Sequence, residues 1–141
     1  MTGMTNASGL EATLDLPLPR LVEGRFSNLT AFTDEALFEA CGVRIAFTER
    51  SGGVSEPPYD SLNLGLHVDD NPESVRENRR RVCEAFDIDP SRLIVPNQVH
   101  GADVAVCENA GDIAETREFA AEGSDAVVVG CDGVAALLCF A

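Results

Sequence analysis

The sequence predicts an acidic, single-domain α/β fold. Three observations carry that expectation. An amphipathic helix is legible over residues 72–86. Short β-branched or aromatic runs flank it at 43–48, 103–106, 126–129 and 134–140. The 141 residues are 45% hydrophobic and 24% charged, enough apolar side chain for one core and too little net polarity for a disordered chain.

The helix is the clearest element. Asn71 can cap it, Pro72 suits a first position that needs no N–H, and Glu73 favours the positive end of the dipole. Val75, Arg79, Val82, Cys83 and Phe86 recur on one face. Arg76, Arg80 and Arg81 lie largely off it, spaced to pair with Glu73, Glu77 and Glu84 as a solvated flank.

Upstream, residues 1–42 read as a lead-in with peripheral elements, and residues 43–141 as the main part of the fold. Pro17 and Pro19 suggest a loose start, and Phe32, Ala36 and Phe38 suggest a short helix over 33–40. The alternating Val43–Thr48 segment reads as a strand. From Arg50 to about Asp70 the Ser51-Gly52-Gly53 and Pro57-Pro58 signals predict a long surface loop, a length that compact domains reserve for function. Downstream, an apolar run at 92–95 leads into Pro96-Asn97-Gln98-Val99-His100-Gly101 and a strand over 103–106. Residues 109–122, acidic and Ala-rich, read as a loop with a helical turn. A strand over 126–129, a turn at Gly130-Cys131-Asp132-Gly133 and a strand over 134–140 complete the sequence. Because that last apolar run has no turn or cap after it, the expectation is a chain that stops in mid-fold, with an unpaired edge and poor solubility.

Charge narrows the partners. Twenty-four acids against 10 bases give −14, which repels nucleic acid and anionic membranes at long range. No apolar stretch reaches the length of a membrane span, and the first 20 residues lack a basic and then apolar leader. Five cysteines, an odd number with no CxxC pair, point to reduced thiols, mostly small core residues, in a cytoplasm.

The chemistry is less determined. His67 and His100 are the two imidazoles. His100, at a strand end beside Gly101, is the better site candidate, since glycine admits close approach. A catalytic zinc needs about three protein ligands and an open position, and a Cys–His pair needs a thiol within reach, yet spacing does not choose among Cys41, Cys107 and Cys139. There is no P-loop and no dinucleotide fingerprint. On the residues alone the reaction stays open.

Four segments in order supply more. Phe47-Thr48-Glu49-Arg50-Ser51-Gly52-Gly53-Val54-Ser55 is followed by Pro58-Tyr59-Asp60-Ser61-Leu62-Asn63-Leu64-Gly65-Leu66-His67-Val68. Then come Val75-Arg76-Glu77-Asn78-Arg79-Arg80 and Asn97-Gln98-Val99-His100-Gly101. From about Val43 onward the sequence resembles the YfiH-type, or laccase-domain, family, long labelled polyphenol oxidases and now understood as purine nucleoside phosphorylases. The resemblance implies a layered α/β/β/α sandwich, incomplete at the C-terminus. It implies a zinc centre with His100 as first ligand, a cysteine following an Ala-Asp pair that Ala141 would begin, and a later histidine. It also implies phosphate-dependent cleavage of adenosine or inosine, with adenosine deamination alongside. Arg50, Ser55 and Asn63 are then candidates for lining the phosphate site, and Gln98 for a position near the metal; the plainer alternative is that they only tie down the loop. A catalytically inert fragment or interaction module, and a copper-dependent polyphenol oxidase, are the competing expectations. One metal ligand in place of three predicts little activity from this chain alone, with the C-terminal half of the fold as its missing partner.

Overall fold

The computed structural model describes residues 18–140. The lead-in before residue 18 and Ala141 therefore lie outside the described residues. Chain order is β1 (Val22–Phe26), β2 (Leu29–Thr33), α1 (Glu35–Cys41), β3 (Ala46–Thr48), α2 (Pro72–Ala85), β4 (Leu93–Ile94), β5 (Val104–Cys107), α3 (Ile113–Glu122), β6 (Ala126–Val129) and β7 (Ala135–Ala136). Strands and helices mix as predicted. They form an antiparallel sheet β1-β2-β3 and two parallel pairs, β4-β7 and β5-β6.

Residues 22–41 supply a hairpin and a helix, and part of the core. β1 and β2 form a tight hairpin from Val22↔Thr33 to Phe26↔Leu29, turning through Ser27 at φ 53°. Leu29 and Ala31 are buried, and the Phe26 ring tilts against Phe86 at the end of α2 with centroids 5.0 Å apart. Phe32, expected in a helix, belongs to β2 and sits opposite Phe47. The helix itself starts later, because Asp34 caps it: Oδ1 accepts from Leu37 N at 2.9 Å while Oδ2 accepts from Arg20 N at 2.7 Å. Gly42 ends it at φ 72°. The strand expected over 43–48 shrinks to Ala46–Thr48, since β2 stops at Thr33 and offers Ala46 its last partner.

The predicted helix over 72–86 is α2, ending at Ala85, with Asn71 Oδ1 accepting from Glu73 N at 2.9 Å and Pro72 in the first turn. Its buried face carries Val75, Asn78, Val82 and Cys83. On the open flank Glu73 pairs with Arg76, Glu77 with Arg80 at 2.8 Å and Arg81 at 2.9 Å, and Glu84 with Arg80 at 2.9 Å. Arg80 first and Arg81 second hold the Glu77 carboxyl down to about 2.

Two expectations are corrected downstream. Residues 113–122 form a ten-residue helix, not a loop with one turn. The helical signal was weak because the face that packs on β5 is made of small residues, with Thr116 and Ala120 buried and Ile113 beside them. The strand expected over 134–140 is a two-residue ladder, Leu93↔Ala135 and Ile94↔Ala136, extended by Leu137 N donating to Ile94 O at 2.9 Å. Its partner is cut short by Pro96, which has no N–H to donate. The core has two centres. Ile94, Ala105, Cys107 and Ala120 form one under α3, and Leu29, Leu62 and Val82 form the other between the hairpin and α2.

Candidate functional site

The long loop is folded down onto α2 by one side chain. Asn78 is fully buried on the face between Val75 and Val82. Its Oδ1 accepts from Val54 N at 2.8 Å. Its Nδ2 donates to Ser55 Oγ at 2.9 Å, to Ser61 O at 3.1 Å and to Asn63 O at 2.8 Å. A second layer lies over this hub, where Asp70 Oδ2 accepts from Ser55 Oγ at 2.6 Å and from Asn63 Nδ2 at 2.9 Å. Ser55 and Asn63 thereby hold the Asp70 carboxyl below the usual carboxylate range. Arg79 Nε donates to Leu64 O at 2.8 Å and Arg81 Nη1 to Gly52 O at 2.9 Å, so the helix ties the loop at both ends. Burial lowers the Arg79 pKa from its ordinary value.

Arg50 stands at the loop's root. Its Nε and Nη2 donate to Asp60 O at 3.0 and 2.9 Å, and Nη2 lies 3.7 Å from Asp60 Oδ1. The guanidinium side chain is nonetheless 77% exposed. Beside the loop is an open cleft of about 570 Å³ lined by Glu56, Pro57, Tyr59, Asp69, Asp70 and Ser74, among others. Three carboxylates among the lining residues make that cleft a poor host for phosphate.

His100 lies on a separate turn between β4 and β5, exposed and in the left-handed region at φ 58°. Its backbone N–H donates to Asp125 Oδ1 at 2.7 Å and that of Gly101 to Asp125 Oδ2 at 2.7 Å. The Gly101 bond first, then that of His100, holds the Asp125 carboxyl below its ordinary range. Gln98 is half-buried on the same segment, whose Asn97 is tied through N to Ala120 O at 2.9 Å and through O to Ser124 N at 3.0 Å.

Of the residues predicted for a site, Ser55 and Asn63 meet on Asp70, Arg50 is turned to Asp60, and Gln98 and His100 share their own segment. The hydroxyl of Ser55 and the amide of Asn63 are thus engaged with a carboxylate, the loop-tying role set out as the alternative. Sequence reasoning missed Asn78, Asp70 and Asp125. The one available signal was Asn78 itself, a polar residue on a helix face otherwise apolar at Val75 and Val82. Among the described residues no three His, Cys, Asp or Glu side chains are grouped to hold a metal. His100 therefore supplies one ligand at most, too few for a closed or catalytic zinc centre without donors from elsewhere.

Residues 44–141 match the family described as multi-copper polyphenol oxidoreductase laccase. The chain belongs to that family. A purine nucleoside phosphorylase of Pseudomonas aeruginosa is 44% identical over 98 residues, which are 69% of this chain and 39% of the relative. The purine nucleoside phosphorylase YfiH of Escherichia coli K12 is 54% identical over 63 residues, 45% of this chain and 26% of the relative. Among solved structures, a hypothetical protein YfiH of Bacillus licheniformis superposes with a TM-score of 0.64 at 29% identity, over 83% of this chain and 43% of its own. YlmD of Geobacillus stearothermophilus superposes at 0.56 with 30% identity, over 82% and 38%. The laccase-domain chain thus spans well under half the length of these relatives and has the YfiH fold over its matched part. No helix among its described residues is long and apolar enough to cross a membrane.

Proposed function

We propose that this laccase-domain chain supplies the His100-bearing portion, residues 43–141, of a cytoplasmic purine nucleoside phosphorylase. The reaction is transfer of the ribosyl group of adenosine or inosine from a purine nitrogen to phosphate. A C–O bond forms at the anomeric carbon as the C–N bond breaks, and the base leaves with a proton. Adenosine deamination is the accompanying activity. The observation that carries the reading is the placement of His100 on a turn fixed by two 2.7 Å bonds, within the region matched to the family. His100 serves as one ligand of a zinc ion whose other ligands lie outside the described residues. A zinc ion held there would activate water for the accompanying deamination. Gln98, two residues before His100 on the same held segment, is the candidate for a position near the metal. Arg50 is the cation for phosphate, because its guanidinium is largely exposed and its one ion-pair partner, Asp60, is 3.7 Å away and itself about half exposed. Ser55 and Asn63, expected to line the phosphate site, support it instead by fixing the loop through Asp70 and Asn78.

With one candidate histidine and no grouped donors among the described residues, the 141-residue chain by itself is expected to turn over nucleoside poorly or not at all. The decisive experiment grafts its matched stretch into the Pseudomonas aeruginosa relative in place of that protein's own. Ribose 1-phosphate release from adenosine and inorganic phosphate is then measured. An active graft that loses at least about a hundredfold on His100→Ala, and whose phosphate KM rises on Arg50→Ala, supports the reading. A graft equally active with alanine at position 100 refutes it. Oxygen uptake with a phenol, in place of phosphorolysis, would return the assignment to a copper-dependent oxidase.

A further inference from the structure

We propose that Asp125 is the positioning residue of the His100 turn, a carboxylate that clamps two consecutive backbone N–H groups and so fixes where the imidazole stands. This rests on the reading of His100 as the site histidine, and it adds a residue 25 positions away, just before β6.

The clamp is built from both sides. Asp125 immediately precedes β6, and the backbone around it has little freedom. Asp125 N donates to Asp103 O at 3.0 Å and Ser124 N to Asn97 O at 3.0 Å. Ser124, fully buried, accepts from Ala105 N at 3.1 Å and donates to Ala126 O at 2.7 Å. One residue further on, Ala126 begins the ladder with Val104. The carboxylate is therefore delivered to a fixed point by the start of the β5-β6 pair. Facing it, His100 adopts φ 58°, a conformation that residues with a Cβ rarely take. Successive N–H groups converge on one anion when a left-handed residue turns the chain. Here each carboxylate oxygen takes one of them, both at 2.7 Å. A Cβ on Gly101 would stand 3.4 Å from Asp125 Oδ2, in ordinary contact, so the carboxylate lies directly against this turn. Two charge-assisted bonds thus hold His100 in a backbone state it would otherwise leave.

Asp125→Asn is the discriminating substitution. It keeps size and one acceptor oxygen but turns an NH2 toward one of the two N–H groups. Amide hydrogen exchange in the full 141-residue chain reads the result. In Asp125→Asn the His100 and Gly101 amides are expected to exchange about tenfold faster or more. Amides further along the β5-β6 pair, at Cys107 and Val128, stay unchanged, which a merely structural loss would not allow. The His100 ring resonances shift while those of His67 do not. Unchanged exchange at His100 and Gly101 overturns the proposal, and so does acceleration spread equally over the strands. Should the variant fail to fold, the wild-type chain still decides: scalar coupling across the hydrogen bonds, from the two amide nitrogens to the Asp125 carboxylate carbon, must be present, and its absence overturns the clamp. These readouts are independent of catalysis, so an inactive graft would sink the functional reading and leave the clamp standing, and the reverse.

Discussion

Replacing Asn78 with alanine tests the central claim about the loop. The side chain makes four hydrogen bonds, but their loss is unequal. Ser61 O keeps Ser55 N as a donor at 3.0 Å, and Ser55 Oγ keeps Asp70 at 2.6 Å. Val54 N and Asn63 O have no second partner among the described residues. Two groups are therefore orphaned near a buried position, at about 1–3 kcal/mol each, or about 2–6 kcal/mol together. Against a total stability of about 5–15 kcal/mol, that is a large fraction of the fold's reserve. Urea unfolding followed by circular dichroism gives the difference from the midpoint shift at constant slope. Limited proteolysis adds location, since cleavage should rise within residues 51–70 before the rest of the chain opens. A loss below about 1 kcal/mol, with no new cleavage in the loop, would refute the hub and leave Asn78 an ordinary buried residue.

Other outcomes follow from the same geometry. A Cβ at residue 53 would stand 2.0 Å from Ser61 O, while one at residue 111 meets nothing within 4 Å, so Gly53→Ala should lower the melting temperature severely and Gly111→Ala hardly at all. Asp70 is held below its ordinary pKa by Ser55 and then Asn63; a depressed folded pKa stabilises above the unfolded value near 3.8 and is lost as pH falls through the folded one. Acid titration below about pH 4 should therefore loosen the loop in wild type and spare Asp70→Asn, read by proteolysis across the pH series. With a thiol reagent, exposed Cys41 should react first; buried Cys83 and half-buried Cys139, whose thiols are pushed up by burial, should wait for unfolding, as mapped by mass spectrometry.

How far the sequence reached depends on what kind of signal each element needed. α2 announced itself, because cap, first-turn proline and apolar spacing agree with one another. α3 did not, since a face of Thr116 and Ala120 carries almost no hydrophobic contrast. β2 was missed because Leu29, Ala31 and Thr33 alternate with residues that also fit a helix, and pairing with Phe47 decided the matter. Short parallel ladders such as β4-β7 depend on a partner about 40 residues away, which local pattern cannot supply. In the site, residue types were legible but relations were not. Ser55, Asn63 and His100 could be named from their segments. That Asp70 joins the first two, and Asp125 holds the third, is information carried by tertiary structure alone.

The attachment of the loop to Asn78 also bears on how such a chain can change over generations. Surface loops ordinarily absorb insertions cheaply, because each added residue costs little closure entropy. Residues 53–63 are denied that freedom, for Val54, Ser55, Ser61 and Asn63 must all reach one amide on a rigid helix. An extra residue there would shift every later contact out of reach. The exposed stretch 66–69, between the ties at Gly65 and Asp70, carries less of that obligation. Length variation among homologous sequences should accumulate there, leaving the spacing from Val54 to Asn63 constant.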